Sequence, residues 1–529
     1  MTADPTTTPA RRAGLLIPLF SCASTAGWGI GEIGDIPAVT SWLAAAGLRV
    51  LQLLPTNEMA PGQQSPYSAI SAMAIDPIFI SLRNVPEFAA LGGESSLDDE
   101  EREQLASVRK SPRVDHPGVR KLKWSALRRA FDRFVQTEWR CDTARARALR
   151  RFVSEQAWWI EDYAIFRAIH AKDGERPWTE WPAELQRREP AAIDRARREL
   201  ANEVLCHQYL QWVAMSQWQA ARARTGEVGL YGDLPFMVDG DSADVWARQH
   251  QFRLDASVGV PPDAFSATGQ DWGMPVYRWD VMAAEDYRWL HERARRNADL
   301  YDGYRVDHLV GFYRTYGRPR DGGAPFFTPS DEREQEALGE RLLDLFRRSG
   351  ADIIAEDLGT VPDFVRESLA RVGVPGFRVF RWERYWHTEG QPFRDPADYP
   401  NRSVATSGTH DTEPQAVWWG TTEDDERRKV NELPTIQRIA GSAGVLDAPY
   451  EPTVRDVLIE SLFASGSDLV LFPVQDVFGW RDRINQPATV TDANWSFKLP
   501  WPCDRLDDVP EARERQRALH GWSMRYHRT

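Results

Sequence analysis

Apolar and β-branched residues gather in eight short runs: Gly14 to Pro18, Arg49 to Leu54, Gly229 to Asp233, Asp302 to Val306, Ile353 to Glu356, Gly376 to Arg381, Ser403 to Ser407 and Leu469 to Pro473. Runs this short and this continuous in apolar character fit strands buried on both faces of a parallel sheet. Between many of them lie stretches with helical spacing, for example Asp35 to Ala46, Glu332 to Arg348 and Pro362 to Val372, the last followed by Gly373 as a stop signal. Eight strands alternating with helices predict an α/β fold, a (β/α)8 TIM barrel in preference to a doubly wound sheet.

The interval between the second and third runs is too long for a barrel loop and predicts mainly helical insertion subdomains over about 56–225. Its part from about 121 to 225 is dense in Arg, Glu, Ala and Trp at helical spacing, as in Trp158-Trp159-Ile160-Glu161-Asp162-Tyr163. An acidic loop or short helix near Ser95 to Gln104 precedes it, and a second charged, helical excursion spans about 421–452. The rest of 13–529 reads as one catalytic barrel, after a Thr- and Pro-rich tail, 1–12, expected to be disordered.

The stretch from Arg11 to Cys22 imitates a lipoprotein signal, but Pro18 interrupts its apolar run and bulky Phe20 stands where a small residue is wanted. It reads better as a first barrel strand. No run approaches the 18 apolar residues of a membrane span, so a soluble cytoplasmic protein is expected.

The formal charge of −13 argues against nucleic acid or an anionic membrane as partner, since both need concentrated Lys and Arg. A neutral substrate fits better. Cys22, Cys141, Cys206 and Cys503 lie far apart, so neither a disulfide framework nor a zinc site is indicated. The 22 tryptophans are many for this length; sugar-stacking platforms are open to some of them, and the core to most.

Three of the strand-like segments end on acids: Tyr304-Arg305-Val306-Asp307-His308, Ile353-Ile354-Ala355-Glu356-Asp357, and Val404 through His410-Asp411. The C-terminal rim of an α/β barrel is where its chemistry sits. Three acids on that rim suit glycoside chemistry, in which one carboxylate attacks the sugar and one carboxyl moves the proton.

Arg305 and Asp307 share a strand face, so the cation favours an ionised, nucleophilic Asp307, although a structural Arg–Asp pair would look the same in sequence. Glu356, after Ile353-Ile354-Ala355, has the apolar setting that raises a carboxyl pKa and lets it carry a proton. By strand alternation Asp357 faces the other way and is read as structural. Asp233 closes Leu230-Tyr231-Gly232-Asp233 as a fourth acid. Gln270 and Trp272, in a Gly- and Pro-rich loop after Pro261-Pro262-Asp263, offer the amide and indole that a neutral polyol needs.

The chain resembles glycoside hydrolase family 77, the 4-α-glucanotransferases. The matching segments run from Gly27-Trp28-Gly29-Ile30-Gly31 and Ser65-Pro66-Tyr67, through Gly232-Asp233-Leu234-Pro235, Gly269-Gln270 with Trp272-Gly273, Arg305-Val306-Asp307-His308 and Ala355-Glu356-Asp357-Leu358-Gly359, to Gly408-Thr409-His410-Asp411 and Asn494-Trp495-Ser496. The resemblance implies transfer of α-1,4-glucan segments to another glucan or glucose by a retaining double displacement, with no metal or organic cofactor. Its partners would be maltooligosaccharides and starch- or glycogen-derived glucans. It makes Asp307 the nucleophile, Glu356 the general acid/base and Asp411 the stabiliser of the transition state. Arg305, His308, His410 and Asp233 would hold Asp307 and the sugar at the cleavage point, while Gln270, Trp272 and Tyr67 would serve neighbouring sugars.

The chain departs from the family pattern at Gln64, where an acid is usual, at Met274, where Asn is usual, and at Thr412-Glu413-Pro414. These changes bear on acceptor preference and on transfer against hydrolysis. An α-amylase-like hydrolase shares most of this machinery. An enolase-type Mg²⁺-dependent lyase would use Asp233, Asp307 and Glu356 as ligands, but it needs a Lys or His base at a strand end, and the few lysines lie elsewhere.

Overall fold

The computed structural model describes residues 11–262, 269–441, 449–487 and 489–529. Asp263, part of the Pro-Pro-Asp motif, lies outside them, as do the first ten residues of the expected tail.

Eight parallel strands close into a barrel: β1 (Arg12–Leu16), β2 (Val50–Gln52), β3 (Gly229–Leu234), β4 (Gly303–Val306), β5 (Asp352–Ala355), β6 (Gly376–Val379), β7 (Ser403–Thr406) and β8 (Leu469–Pro473). All eight predicted runs are present, and β8 pairs with β1 to complete the ring. The expected tail is two residues too long, since Arg11 donates to the Tyr526 carbonyl at 3.3 Å and Arg12 already pairs with Leu469. The helices Ile36–Ala45, Glu332–Arg347 and Asp363–Val372 fall where the spacing places them, and Gly373 ends the last of these in the left-handed region at φ 74°.

Strand alternation sorts the barrel interior into layers. Val50, Tyr231, Ile354, Phe377, Val404, Leu469 and Leu471 form a separate buried apolar cluster drawn from six of the eight strands. Two residues further along their strands, on the same face, stand Gln52, Asp233 and Glu356. Asp233 is in register with Arg305, and Arg305 with Ile354. The interior therefore turns from apolar to charged toward the C-terminal rim.

Close packing between strands fixes two glycines. A Cβ on Gly303 would stand 2.6 Å from the Tyr231 ring. One on Gly376 would meet the Asp357 carboxylate at 2.4 Å. Asp357 fills the gap between β5 and β6, accepting the Phe377 N–H at 2.7 Å and facing Arg378 at 3.3 Å. That is the structural role its alternation predicts.

Between β2 and β3 the chain builds helices that include His116–Phe134, Ala157–Lys172 and Ala201–Arg222. One element is absent from the sequence reading. Phe252–Val260, Gln270–Tyr277, Thr315–Pro319 and Phe326–Thr328 form a four-stranded antiparallel sheet beside the barrel. The segment read as a loop around Gln270 and Trp272 is thus an edge strand. Gly269, Gly273 and Pro275 obscure it, yet Gln270, Trp272 and Met274 are half-buried while Asp271 and Gly273 are exposed, the alternation of a strand. Among the described residues, no helix is long and apolar enough to cross a membrane.

Candidate active site

Each acid reaches the rim by its own route. Asp307 is the first residue after β4, its N–H bonded to the Leu234 carbonyl at 3.0 Å, and Glu356 is the first after β5, its N–H bonded to the Val306 carbonyl at 3.1 Å. Asp411 lies five residues beyond the end of β7, so it is a loop residue and not a strand-end acid. What fixes it is the loop after β8: Asn485 Nδ2 donates to Asp411 Oδ1 at 2.7 Å, and Arg483 donates to its backbone carbonyl at 2.7 Å.

Arg305 is buried at the centre of the group. Its Nη1 donates to both oxygens of Asp233 at 2.8 Å, the neighbour its strand register supplies. Its Nη2 lies 2.7 Å from Asp307 Oδ1 and 3.9 Å from Glu356 Oε2. Those two carboxylate oxygens are therefore no further apart than the sum of the two distances. That bound accommodates the roughly 5–5.5 Å spacing of retaining glycosidases.

A second strand of contacts comes from the insertion before β3. The Tyr67 hydroxyl donates to Asp233 Oδ2 at 2.8 Å and sits 3.1 Å from His410 Nε2, with the two rings stacked at 5.5 Å. His410 Nε2 is 3.4 Å from Asp411 Oδ2. Trp495 flanks both Tyr67 and His410 at 5.8 Å. On the opposite side His308, with a left-handed φ of 44°, donates its backbone N–H to Glu356 Oε2 at 2.7 Å. The Trp272 ring meets the His308 ring edge-on at 4.8 Å, and its indole N–H donates to Gln270 at 3.2 Å.

These surroundings drive the carboxyl groups apart in acidity. Burial pushes Glu356 up to about 7, Arg305 opposes it, and the Asp307 charge adds to the rise. Burial would raise Asp411 as well, but His410 and the Asn485 amide outweigh it and hold Asp411 at about 2. Asp233 is pushed up by burial to about 6, with Arg305 pulling it back, so it remains ionised at neutral pH. Burial drives His308 down to about 4 and keeps it neutral. His410 is raised: burial acts against its charge, and Asp411 more than compensates. A carboxyl that holds a proton near neutral pH, Glu356, close to one that stays ionised, Asp411, is the division that acid/base glycoside chemistry uses.

All ten residues singled out in the sequence thus meet at one rim, with Gln270 joined through Trp272. Three further contributors were not singled out. Asn485 and Arg483 are unremarkable loop residues whose role exists only in the fold. Trp495 sits within the Asn494-Trp495-Ser496 motif, and its left-handed φ of 58° is the only local sign of constraint.

The family model described as Glyco_hydro_77: 4-alpha-glucanotransferase matches residues 17–504. A 4-alpha-glucanotransferase of Thermus thermophilus is 33% identical, the match covering 92% of this chain and 96% of that protein. One from Chlamydia pneumoniae is 31% identical over 92% of this chain and 91% of its own length. The amylomaltase of Streptococcus agalactiae, solved in complex with acarbose, superposes with a TM-score of 0.82 at 26% identity, covering 98% of this chain and 99% of that one.

Proposed function

The chain belongs to the 4-alpha-glucanotransferases of glycoside hydrolase family 77, and on that premise we propose how its own residues carry out the transfer. The enzyme moves segments of α-1,4-glucan between chains, and family membership sets the lyase reading aside. Asp307 is the nucleophile: its carboxylate oxygen bonds to the anomeric carbon as the bond from that carbon to the leaving O4 breaks. Glu356 passes its proton to that O4. In the second half the 4-hydroxyl of an acceptor glucan gives its proton to the Glu356 carboxylate, its oxygen attacks the anomeric carbon, and the bond to Asp307 breaks. Two inversions leave the α-configuration unchanged.

Asp411 keeps its negative charge throughout and stabilises the cationic ring common to both steps. Arg305 orients Asp307, while Asp233, Tyr67 and His410 form the polar wall for the hydroxyls of the reacting sugar. Trp272 and Gln270 serve the adjacent sugar. The observation that carries this reading is the shared Arg305 Nη2, which sets the nucleophile beside a Glu356 that burial holds near neutrality. Maltooligosaccharides and longer α-1,4-glucans are the substrates. We place the enzyme in the cytoplasm, since all four cysteines are free thiols, as a reducing compartment keeps them.

The test is incubation with maltotriose and chromatography of the products. A ladder of longer maltooligosaccharides with glucose supports transfer. Maltose and glucose alone would contradict it.

A further inference from the structure

The β1–β8 side of the catalytic face holds a second concavity. A groove of about 760 Å³ lies between Ser24 and Thr25 after β1, Lys110 at the end of the helix Asp99–Lys110 with Arg113 just beyond it, and Trp480 and Trp501 after β8. Its aromatic wall is packed from behind. Trp480 stacks on buried Phe478 with centroids 4.4 Å apart and planes 12° from parallel, and Trp501 stands at 61° to it, 5.6 Å away. Both indoles pack against the core on one side and are partly exposed on the other. Neither indole N–H has a hydrogen-bond acceptor among the described residues.

Across from them the rim carries a donor and an acceptor: Arg113 and Asp482 pair at 3.5 Å, both about half exposed. Planar aromatic faces together with fork-shaped polar groups suit a chain of neutral sugar rings, which offers apolar faces and hydroxyl edges and no charge. The groove shares a wall with the surroundings of the reaction centre. Asp482 lines both this groove and the small cavity beside His410, and its neighbour Arg483 is the residue that holds the Asp411 backbone.

We infer that this groove is a remote subsite for the same α-1,4-glucan, gripping a stretch of chain several sugars away from the bond that reacts. The inference rests on the transferase reading above. A short donor fills only the centre, whereas a long one also reaches Trp480, Trp501 and Arg113, so these residues select for donor length.

The experiment compares kcat/KM for transfer from maltotriose and from maltoheptaose. The wild-type ratio should favour maltoheptaose, and Trp501→Ala should lower that ratio about tenfold, the order of one lost aromatic contact. Arg113→Gln, a change at a half-exposed side chain that keeps a donor for the Ala493 carbonyl, should lower the same ratio about threefold and provides the readout if the tryptophan variant does not fold. A wild-type enzyme that treats the two donors alike, or variants that keep the wild-type ratio, would overturn the subsite. A wild-type enzyme that forms no product ladder from either donor would instead defeat the transferase reading.

Discussion

Asp307 and Glu356 meet at a single nitrogen, with Arg305 Nη2 at 2.7 Å from the first and 3.9 Å from the second. The cation thereby serves two ends: it fixes the attacking carboxylate, and it restrains the rise that burial imposes on the proton donor. Arg305→Gln removes both effects. We expect kcat to fall by about 10²–10³, the scale for losing one preorganised charged donor. The pKa of Glu356 should also climb, because burial and Asp307 then act unopposed, moving the alkaline limb of kcat/KM upward. An unmoved limb would show that the two carboxyl groups are not coupled through Arg305.

The raised pKa of Glu356 sets a pH window for the wild-type enzyme. Cleavage of a natural glucan needs this carboxyl protonated, so kcat/KM for maltotriose should decline as pH rises through about 7. Fluoride departs without a proton. With α-maltosyl fluoride the same limb should vanish, and an identical limb for both donors would remove Glu356 from the role of acid.

How much of this was legible before the fold was known depends on where each residue gets its constraint. Asp307 and Glu356 end strands whose apolar runs announce them, and Arg305 shares a face with Asp307 by simple alternation. The eight strands were readable for the same reason, since burial on both faces leaves an apolar signature. Asp411 lies beyond its strand and is held by Asn485 and Arg483, contacts made across the β7–β8 gap that no local pattern encodes. The sheet carrying Trp272 was hidden because glycine and proline interrupt the edge strand, and its alternation, Gln270 and Met274 on either side of Trp272, is visible mainly in the burial pattern.

Asn485 offers a test of how Asp411 keeps its charge. Losing the 2.7 Å amide bond in Asn485→Ala should raise the Asp411 pKa from about 2, shift the acid limb of kcat/KM upward and cost about tenfold in rate. Asp411→Asn should fall far more, and by similar factors for maltotriose and for the fluoride, because a stabiliser of the ring cation serves every donor. A variant that spared the fluoride would point to proton transfer in place of electrostatic stabilisation.

A buried histidine away from the site governs a pH-dependent share of stability. His170 lies between Glu175, 2.5 Å from Nδ1, and Asp241, 3.0 Å from Nε2. Burial disfavours its charge, but the bonds to Asp241 and Glu175 prevail and its pKa is raised above 6.5. A group raised on folding contributes fully below its unfolded pKa and loses that contribution as pH rises through the folded value. His170→Gln should therefore destabilise the protein more at pH 6 than at pH 9, with a loss of about 1–3 kcal/mol at the lower pH, read from thermal unfolding at both pH values. Equal losses at both pH values would mean the ring is neutral in the folded protein.

The identity of the nucleophile is tested most directly by trapping its glycosyl ester. In Glu356→Gln, α-maltosyl fluoride needs no acid to react, while the second step lacks its base, so the intermediate accumulates. Digestion and mass spectrometry should find one maltosyl unit on the peptide that contains Asp307. A maltosyl unit on the peptide that contains Asp411, or turnover to a product of inverted configuration with no adduct, would contradict the mechanism.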